Sequence, residues 1–262
     1  MLKDITLGQY YPVKSPIHTL DPRTKLGGTL CFLISLFITK SVAGYIAATV
    51  FLFLCITVSR VPFRFMTKGL RAVIAVLIIS VSFNIFLTEG TPIFTLGPLK
   101  PTWEGLRVAT FMGIRLVYLV IGSSLLTLTT TPNELTSGLE TSLGFLKKVH
   151  VPVHEIAMMM SIALRFIPIL VEEADKIMKA QTARGADFET GGLVKRAKAL
   201  IPLLVPLFIS AFRRASDLAM AMEARCYHGG EGRTRMKPLR YKKADLSAAI
   251  VLVLYLAVMI LL

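Results

Sequence analysis

From Leu26 to Ser59 the chain runs through about 34 almost wholly apolar residues, broken only by Lys40-Ser41. A helix crosses a bilayer in roughly 20 residues, so this stretch is too long for one span and reads as two in hairpin, 26–39 and 42–59. Lipid offers peptide groups no hydrogen-bond partner, and a spanning segment must satisfy its own backbone, as a helix does. Three more apolar runs follow, at 72–87, 105–128 and 246–262. The expected fold class is therefore an all-α integral membrane protein with about five transmembrane helices, plus a cytoplasmic domain of long amphipathic helices.

Composition agrees, because 54% hydrophobic residues and only 18% charged residues leave too little polar surface for a water-soluble domain. The formal charge of +14 is basic enough to raise nucleic acid as a partner. The basic residues instead fall along one side of a membrane topology, with no aromatic-interleaved groove, so nucleic acid is not expected. Cys31, Cys55 and Cys226 lack the spacing of a disulfide framework or a metal site. The first apolar run begins behind a polar, proline-containing segment and is followed directly by a second, so a cleaved signal peptide is not expected.

Short loops rich in Lys and Arg stay in the cytoplasm. Lys3, Lys14, Arg23 and Lys25 precede the first span, and Arg60, Arg64, Lys68 and Arg71 are read as a basic loop before the third. Both belong inside, which puts the Lys40 turn and the Gly-, Pro- and Thr-rich 89–104 loop outside. The chain then divides into 1–128 with four spans, a cytoplasmic segment 129–244, and a closing span in 245–262. Within Leu20-Asp21-Pro22-Arg23-Thr24-Lys25, Pro22 is expected to fix a turn, with a helix starting just after it. Arg115, mid-span, must find a partner, either Asn84 or a carbonyl. Gly105, Gly113 and Gly122 on the same span suggest close helix contact.

In the cytoplasmic segment, Thr131-Pro132-Asn133-Glu134 has the pattern of a capping box and opens a short helix to about Leu143. After His150-Val151-Pro152 come two long amphipathic helices. Ile156, Met160, Ala163, Ile167, Leu170, Ala174, Ile177 and Gln181 recur at steps of four and three along the first. Leu204, Phe208, Ala211, Ala215, Leu218 and Met222 do so along the second. Pro168 and Pro206 should kink them, and Gly185–Gly192, followed by a basic linker helix at Lys195, Arg196 and Lys198, should separate them. The first closes on Ala183-Arg184-Gly185 and the second on Ala224-Arg225-Cys226, an offset of 41 residues that also pairs Ala174 with Ala215 and Ala180 with Ala221.

An arginine in a helix's last turn commonly just complements the helix dipole. Two of them, on two like-built helices, suggest a part that touches two similar partners, each guanidinium clamping carboxylates or carbonyls. The apolar stripes fit either the core of a helical domain or a moving interface, the latter favoured by the density of Met158, Met159, Met160, Met178, Met220 and Met222. His150 and His154 are separated by Pro152 and make no metal site. Glu172-Glu173 lies outside the spans and lacks the arginine of a paired-glutamate protease, and no Walker-type phosphate loop is present.

On these residues the chain resembles the T component (EcfT family) of energy-coupling factor transporters, membrane scaffolds of ABC-type vitamin importers. The resemblance covers nearly the whole length. It rests on Leu20-Asp21-Pro22-Arg23-Thr24-Lys25 and on Ala163-Leu164-Arg165-Phe166-Ile167-Pro168 with Glu172-Glu173-Ala174-Asp175. It rests also on Ala183-Arg184-Gly185-Ala186-Asp187, and on Phe212-Arg213-Arg214-Ala215 leading to Ala221-Met222-Glu223-Ala224-Arg225. Cys226 departs from the motif, where glycine is the ideal, and Gly229 is a later candidate stop.

The resemblance implies a cell-membrane scaffold that is not an enzyme and carries no cofactor. Ala183, Arg184, Gly185, Ala224, Arg225 and Cys226 would dock a pair of ABC ATPase subunits. Met159, Met160, Ala163, Ile167, Leu170, Leu204, Phe208, Ala211 and Leu218 would form the surface under a substrate-binding membrane subunit, the S component. Asp21, Pro22, Arg23, Arg115 and Pro168 are expected to be structural. A conventional ABC permease would need polar residues lining several spans and a Glu-Ala-Ala…Gly helix, but Asp175 follows Glu173-Ala174 with no correctly spaced glycine. An intramembrane enzyme would need carboxylates or histidines inside the spans, which hold none.

Overall fold

The computed structural model describes residues 10–39, 41–88, 90–91, 102–186, 188, 192–230, 236 and 238–262. Lys40, most of the 89–104 loop and part of the 185–192 break lie outside the described residues. Among those described there is no strand. The helices are α1 (Pro22–Ile38), α2 (Val42–Ser59), α3 (Phe63–Leu87), α4 (Trp103–Thr129), α5 (Pro132–Ser142), α6 (Val153–Ala183), α7 (Leu193–Glu223) and α8 (Lys243–Leu261), with a 3₁₀ helix at Leu143–Val149. The described residues fall into two compact units, one within 10–142 and 239–262, the other within 143–238.

In the first unit α1 packs on α4, α5 and α8, α2 on α8 and α4, and α3 along α4. Its core gathers Phe32, Leu36, Ala48, Leu52, Met66, Ile121, Leu128 and Tyr255. The expected glycine contacts are present. A Cβ on Gly105 would lie 2.7 Å from the Asn84 carbonyl oxygen, and one on Gly122 would lie 2.9 Å from the Phe32 ring. Only the missing side chains let α4 approach α3 and α1 so closely.

Polar groups close the end of this bundle. Asp21 caps α1, accepting from the Arg23 backbone N–H at 3.0 Å, with Pro22 at the first helical position. Its carboxylate also takes a forked pair from the Arg23 guanidinium, at 3.0 and 3.1 Å. The Asp21 backbone N–H donates to Asp245 Oδ1 at 2.7 Å, while Asp245 Oδ2 accepts from the Lys242 backbone N–H, capping α8. Lys25 Nζ donates to the carbonyls of His18 and Thr129, at 3.1 and 2.9 Å, and so ties α1 to the last turn of α4. Arg23 lies 4.0 Å over the Tyr241 ring.

Several expectations are revised. The basic stretch 63–71 is not a loop but the first part of α3, bent by 62° from Val73–Leu87. It is helical because Pro62 sets its start and because the turn that follows buries Met66 completely in the core. Of the two partners expected for Arg115 the carbonyl is the one found, since it donates to the Thr39 carbonyl at 3.4 Å, and also to Tyr45 Oη at 3.2 Å. Asn84 instead donates to the Ser80 carbonyl and to Met112 Sδ. The capping box forms as expected, Glu134 N–H donating to Thr131 Oγ1 and Thr131 N–H to Glu134. The helix it opens, α5, groups with the first unit because Gly138 lets it lie against Pro22 of α1.

Five described helices are long and apolar enough to cross a membrane: α2, α4, α6, α7 and α8, with the two parts of α3 together making a sixth. At 17 residues, or about 25 Å, α1 is shorter than these. The chain is a multi-pass, all-α membrane protein.

Burial alone would raise the Asp21 carboxyl, but hydrogen bonds from Arg23 outweigh it and hold the group below its ordinary value of 3.8. Its stabilising contribution is thus fully present above about pH 3.8 and is lost as pH falls through the lower folded-state value. Asp21→Ala removes a cap and leaves the half-buried Arg23 guanidinium without its carboxylate, and is expected to destabilise the purified protein by about 2 kcal/mol. Thermal unfolding in detergent at neutral pH checks this, and an unchanged midpoint contradicts it.

Candidate functional site

The second unit is built on α6 and α7, each of 31 residues. Both continue through their prolines, Pro168 in α6 and Pro202 and Pro206 in α7. The expected basic linker helix is not separate, since Leu193–Glu223 is one helix. Its polar and apolar halves share one register, so nothing in the backbone obliges a break between Lys198 and Leu203.

The two helices end in the same way. At the end of α6, Arg184 is the capping residue and Gly185 is left-handed at φ +88°. The Ala186 N–H donates to the Gln181 carbonyl and the Gly185 N–H to the Thr182 carbonyl, both at 3.0 Å. These are the two bonds of a Schellman motif, which satisfies carbonyls the helix would leave open. At the end of α7, the Tyr227 N–H donates to Met222 at 3.1 Å and the Cys226 N–H to Glu223 at 2.9 Å, with Cys226 at φ +54°. Every donor and acceptor is displaced by 41 residues from its counterpart. The helix therefore stops at Cys226 without glycine, and Gly229 comes after the stop. Ala183, Arg184, Gly185, Ala224, Arg225 and Cys226 are all exposed.

The helices also touch at equivalent points. Arg214 NH2 donates to Glu173 Oε2 at 2.9 Å, and Ser210 Oγ to Glu173 Oε1 at 2.5 Å. Glu173 and Arg214 are themselves 41 residues apart. Each terminal arginine therefore stands 11 residues, about 16 Å of helix, beyond its member of this pair. The structure adds Glu173, Ser210 and Arg214 to the residues singled out from sequence, where the pair Glu172-Glu173 served only to reject a protease. The same offset that aligns the arginines would have aligned Glu173 with Arg214.

Burial along the stripes is uneven. Near the contact Ala174 is buried, and Ile167, Leu170, Ala211 and Leu218 are half-covered. Toward the starts of the helices the apolar side chains are open, with Met159 at 58%, Met160 at 43%, Leu204 at 44% and Phe208 at 61% of full exposure, and Ala163 exposed beside them. Ile201, Val205, Ile209 and Phe212 extend the same open surface on α7. So much contiguous apolar area facing outward marks a surface that meets lipid or protein. His150, left-handed after the 3₁₀ helix, and His154, in the first turn of α6, do not share a regular helix face.

A family model described as "Cobalt transport protein" (CbiQ) matches residues 13–236. The chain is 54% identical over 249 residues to the energy-coupling factor transporter transmembrane protein EcfT of Thermosediminibacter oceani, covering 95% of this chain and 94% of that one. It is 55% identical over 252 residues to the EcfT of Clostridium kluyveri, covering 95% and 93%. With the EcfT of Bacillus subtilis it shares 47% over 260 residues, covering 99% and 98%.

A left-handed backbone costs a non-glycine residue about 1–2 kcal/mol, and a Cβ on Gly185 would meet no neighbour, so substitution there acts through the backbone alone. Cys226→Gly is expected to protect the last turn of α7 from hydrogen exchange by roughly fivefold or more, and Gly185→Ala to expose the last turn of α6 by a similar factor. Equal exchange in all three proteins would show that these caps do not hold the helix ends.

Proposed function

Because the chain belongs to the family of energy-coupling factor transporter transmembrane proteins, matched by full-length relatives at 47–55% identity, we propose that it is the scaffold through which two ATPase subunits drive a substrate-binding membrane subunit. As a member of that family it is a membrane component of a transporter. In the proposed mechanism Arg184 and Arg225 each dock on one ATPase subunit, with Ala183 and Ala224 keeping the approach close. The open apolar face around Met159, Met160, Leu204 and Phe208 carries the S component, which delivers a vitamin or other micronutrient. The chain itself carries no catalytic step.

The observation that carries this reading is the repeated helix end. Two capped arms of equal length, each presenting an exposed arginine at the same point of the same motif, suit two like partners related by rotation. Guanidinium forks match carboxylates and carbonyls, and each such contact contributes about 1.5–3 kcal/mol. When ATP closes the ATPase pair, the arms move with it, and the Glu173–Arg214 tie passes that motion to the apolar face.

In this proposal α6 and α7 lie on the cytoplasmic side even though their length and hydropathy would allow a span. The reason is charge. Arg165, Glu172, Glu173, Asp175, Lys176 and Lys179 are distributed along α6, and each such group costs about 2.5–3.5 kcal/mol near a bilayer centre. Lys and Arg at the N-terminus and around 60–71 place the same side inside.

Affinity capture of co-expressed ATPases by this protein tests the proposal. Arg184→Ala and Arg225→Ala are each expected to weaken capture and coupled uptake roughly ten- to hundredfold, and the double substitution to abolish both. Undiminished capture and uptake in all three variants would reduce the arginines to helix caps and overturn the docking mechanism.

A further inference from the structure

Between α1, α2, α4 and α8 lies a cavity of about 340 Å³ that none of the preceding roles uses. Gly28, Cys55, Leu125, Ala248 and Leu252 are among its walls, and they are almost entirely apolar. Leu54 and Val251, 48% and 42% exposed, stand at its edge, so the opening is reached from the side of the bundle that faces lipid. At Gly28 an added Cβ would meet only Leu252 Cδ2, at 3.9 Å, so the wall there is open for want of a side chain.

Lys25 also lines this cavity and is only 7% exposed. Its ammonium has three donors, and two go to the carbonyls of His18 and Thr129. Among the described residues no carboxylate comes within ion-pair distance of it. Glu134, Asp245 and Asp21 attract it from beyond that distance, but burial outweighs them, so two carbonyl dipoles and distant carboxylates meet its charge only in part. Exposed cations stand at the rim, since Lys243 immediately precedes Ala244 on the cavity wall and Arg60 follows Val58 by two residues, while Asp245, after Ala244, is buried and accepts from the Asp21 and Lys242 backbone N–H groups.

An apolar slot that opens to lipid and carries a buried cation, its charge met only in part, fits a molecule with an anionic head and a hydrocarbon tail. We propose that this cavity binds one anionic phospholipid, its phosphate on Lys25 and one acyl chain between α1, α2, α4 and α8. The second chain remains in the bilayer. A zwitterionic lipid brings its own cation and adds no net negative charge beside Lys25, and the basic rim favours a phosphate held in the leaflet over a free acid. The inference does not depend on the docking mechanism above.

The test uses the full-length protein, purified in detergent and presented with phosphatidylglycerol, phosphatidylcholine or palmitate, with bound lipid counted by native mass spectrometry. One phosphatidylglycerol per chain is expected to survive washing, with phosphatidylcholine and palmitate at least tenfold less retained. Lys25→Met, which removes the charge, and Ala248→Phe, which fills the tail slot, are each expected to cut retention at least tenfold. Should Lys25→Met fail to fold, Ala248→Phe decides alone. Equal retention of phosphatidylcholine, preference for palmitate, no lipid retained by the unaltered protein, or phosphatidylglycerol held undiminished by Ala248→Phe would each overturn the proposal.

Discussion

The first unit depends on how one end of its helix bundle satisfies polar groups that lipid cannot. The Asp21 carboxylate caps α1 and grips Arg23, and its backbone N–H reaches Asp245 at the start of α8. Lys25 closes the carbonyl end of α4 from the side. Three helix termini are thereby satisfied by side chains from only two short segments. Each of these groups, left without a partner, would cost several kcal/mol in an apolar surrounding. The apolar packing of Phe32, Leu36, Ile121 and Tyr255 adds cohesion above this end, but it is not directional and would tolerate sliding. Register between α1, α4 and α8 is set by the polar network, aided by the bond between Ser35 and Tyr255 at 2.7 Å.

The second unit solves a different problem. Long helices that present an open apolar face need their ends fixed, and here both are fixed by the same hydrogen-bonded motif at a constant offset. Cys226 shows how strongly the motif determines the backbone. Without glycine it still adopts a left-handed φ, because the bonds from Cys226 and Tyr227 to the last turn offset the strain. The tie between Glu173, Ser210 and Arg214 then joins the two helices at matching positions.

Where the sequence reading and the structure part, the cause is tertiary. Residues 63–71 look like a basic loop because four cations dominate their neighbourhood, yet Met66 finds the core and draws the segment into a helix. For Arg115 span position left Asn84 and a carbonyl both open, and the rotation of α4 selects the Thr39 carbonyl, with Tyr45 beside it. The basic stretch before Leu203 is continuous with α7, since charge pattern says nothing about where a helix breaks. The set of helices that could span also differs from the expected one, because length and hydropathy overlap between α1, one turn short, and the amphipathic α6 and α7.

The sequence by itself determined what is local. Apolar run lengths gave an all-α membrane protein, Thr131 to Glu134 gave a capping box, Pro22 gave a helix start, and the 41-residue offset paired Arg184 with Arg225. The caps and helix starts are written in neighbouring residues, because helix hydrogen bonds reach no more than five or six positions along the chain, and the offset is a repeat of such a local word. Only the tertiary structure decided which polar groups meet across helices. Asp21 with Asp245 and Lys25 with Thr129 are joined over more than a hundred residues, and Glu173 with Arg214 over 41. Periodicity shows which face a residue occupies, whereas the helix rotations and depths that bring two such faces together come only from packing the whole set at once.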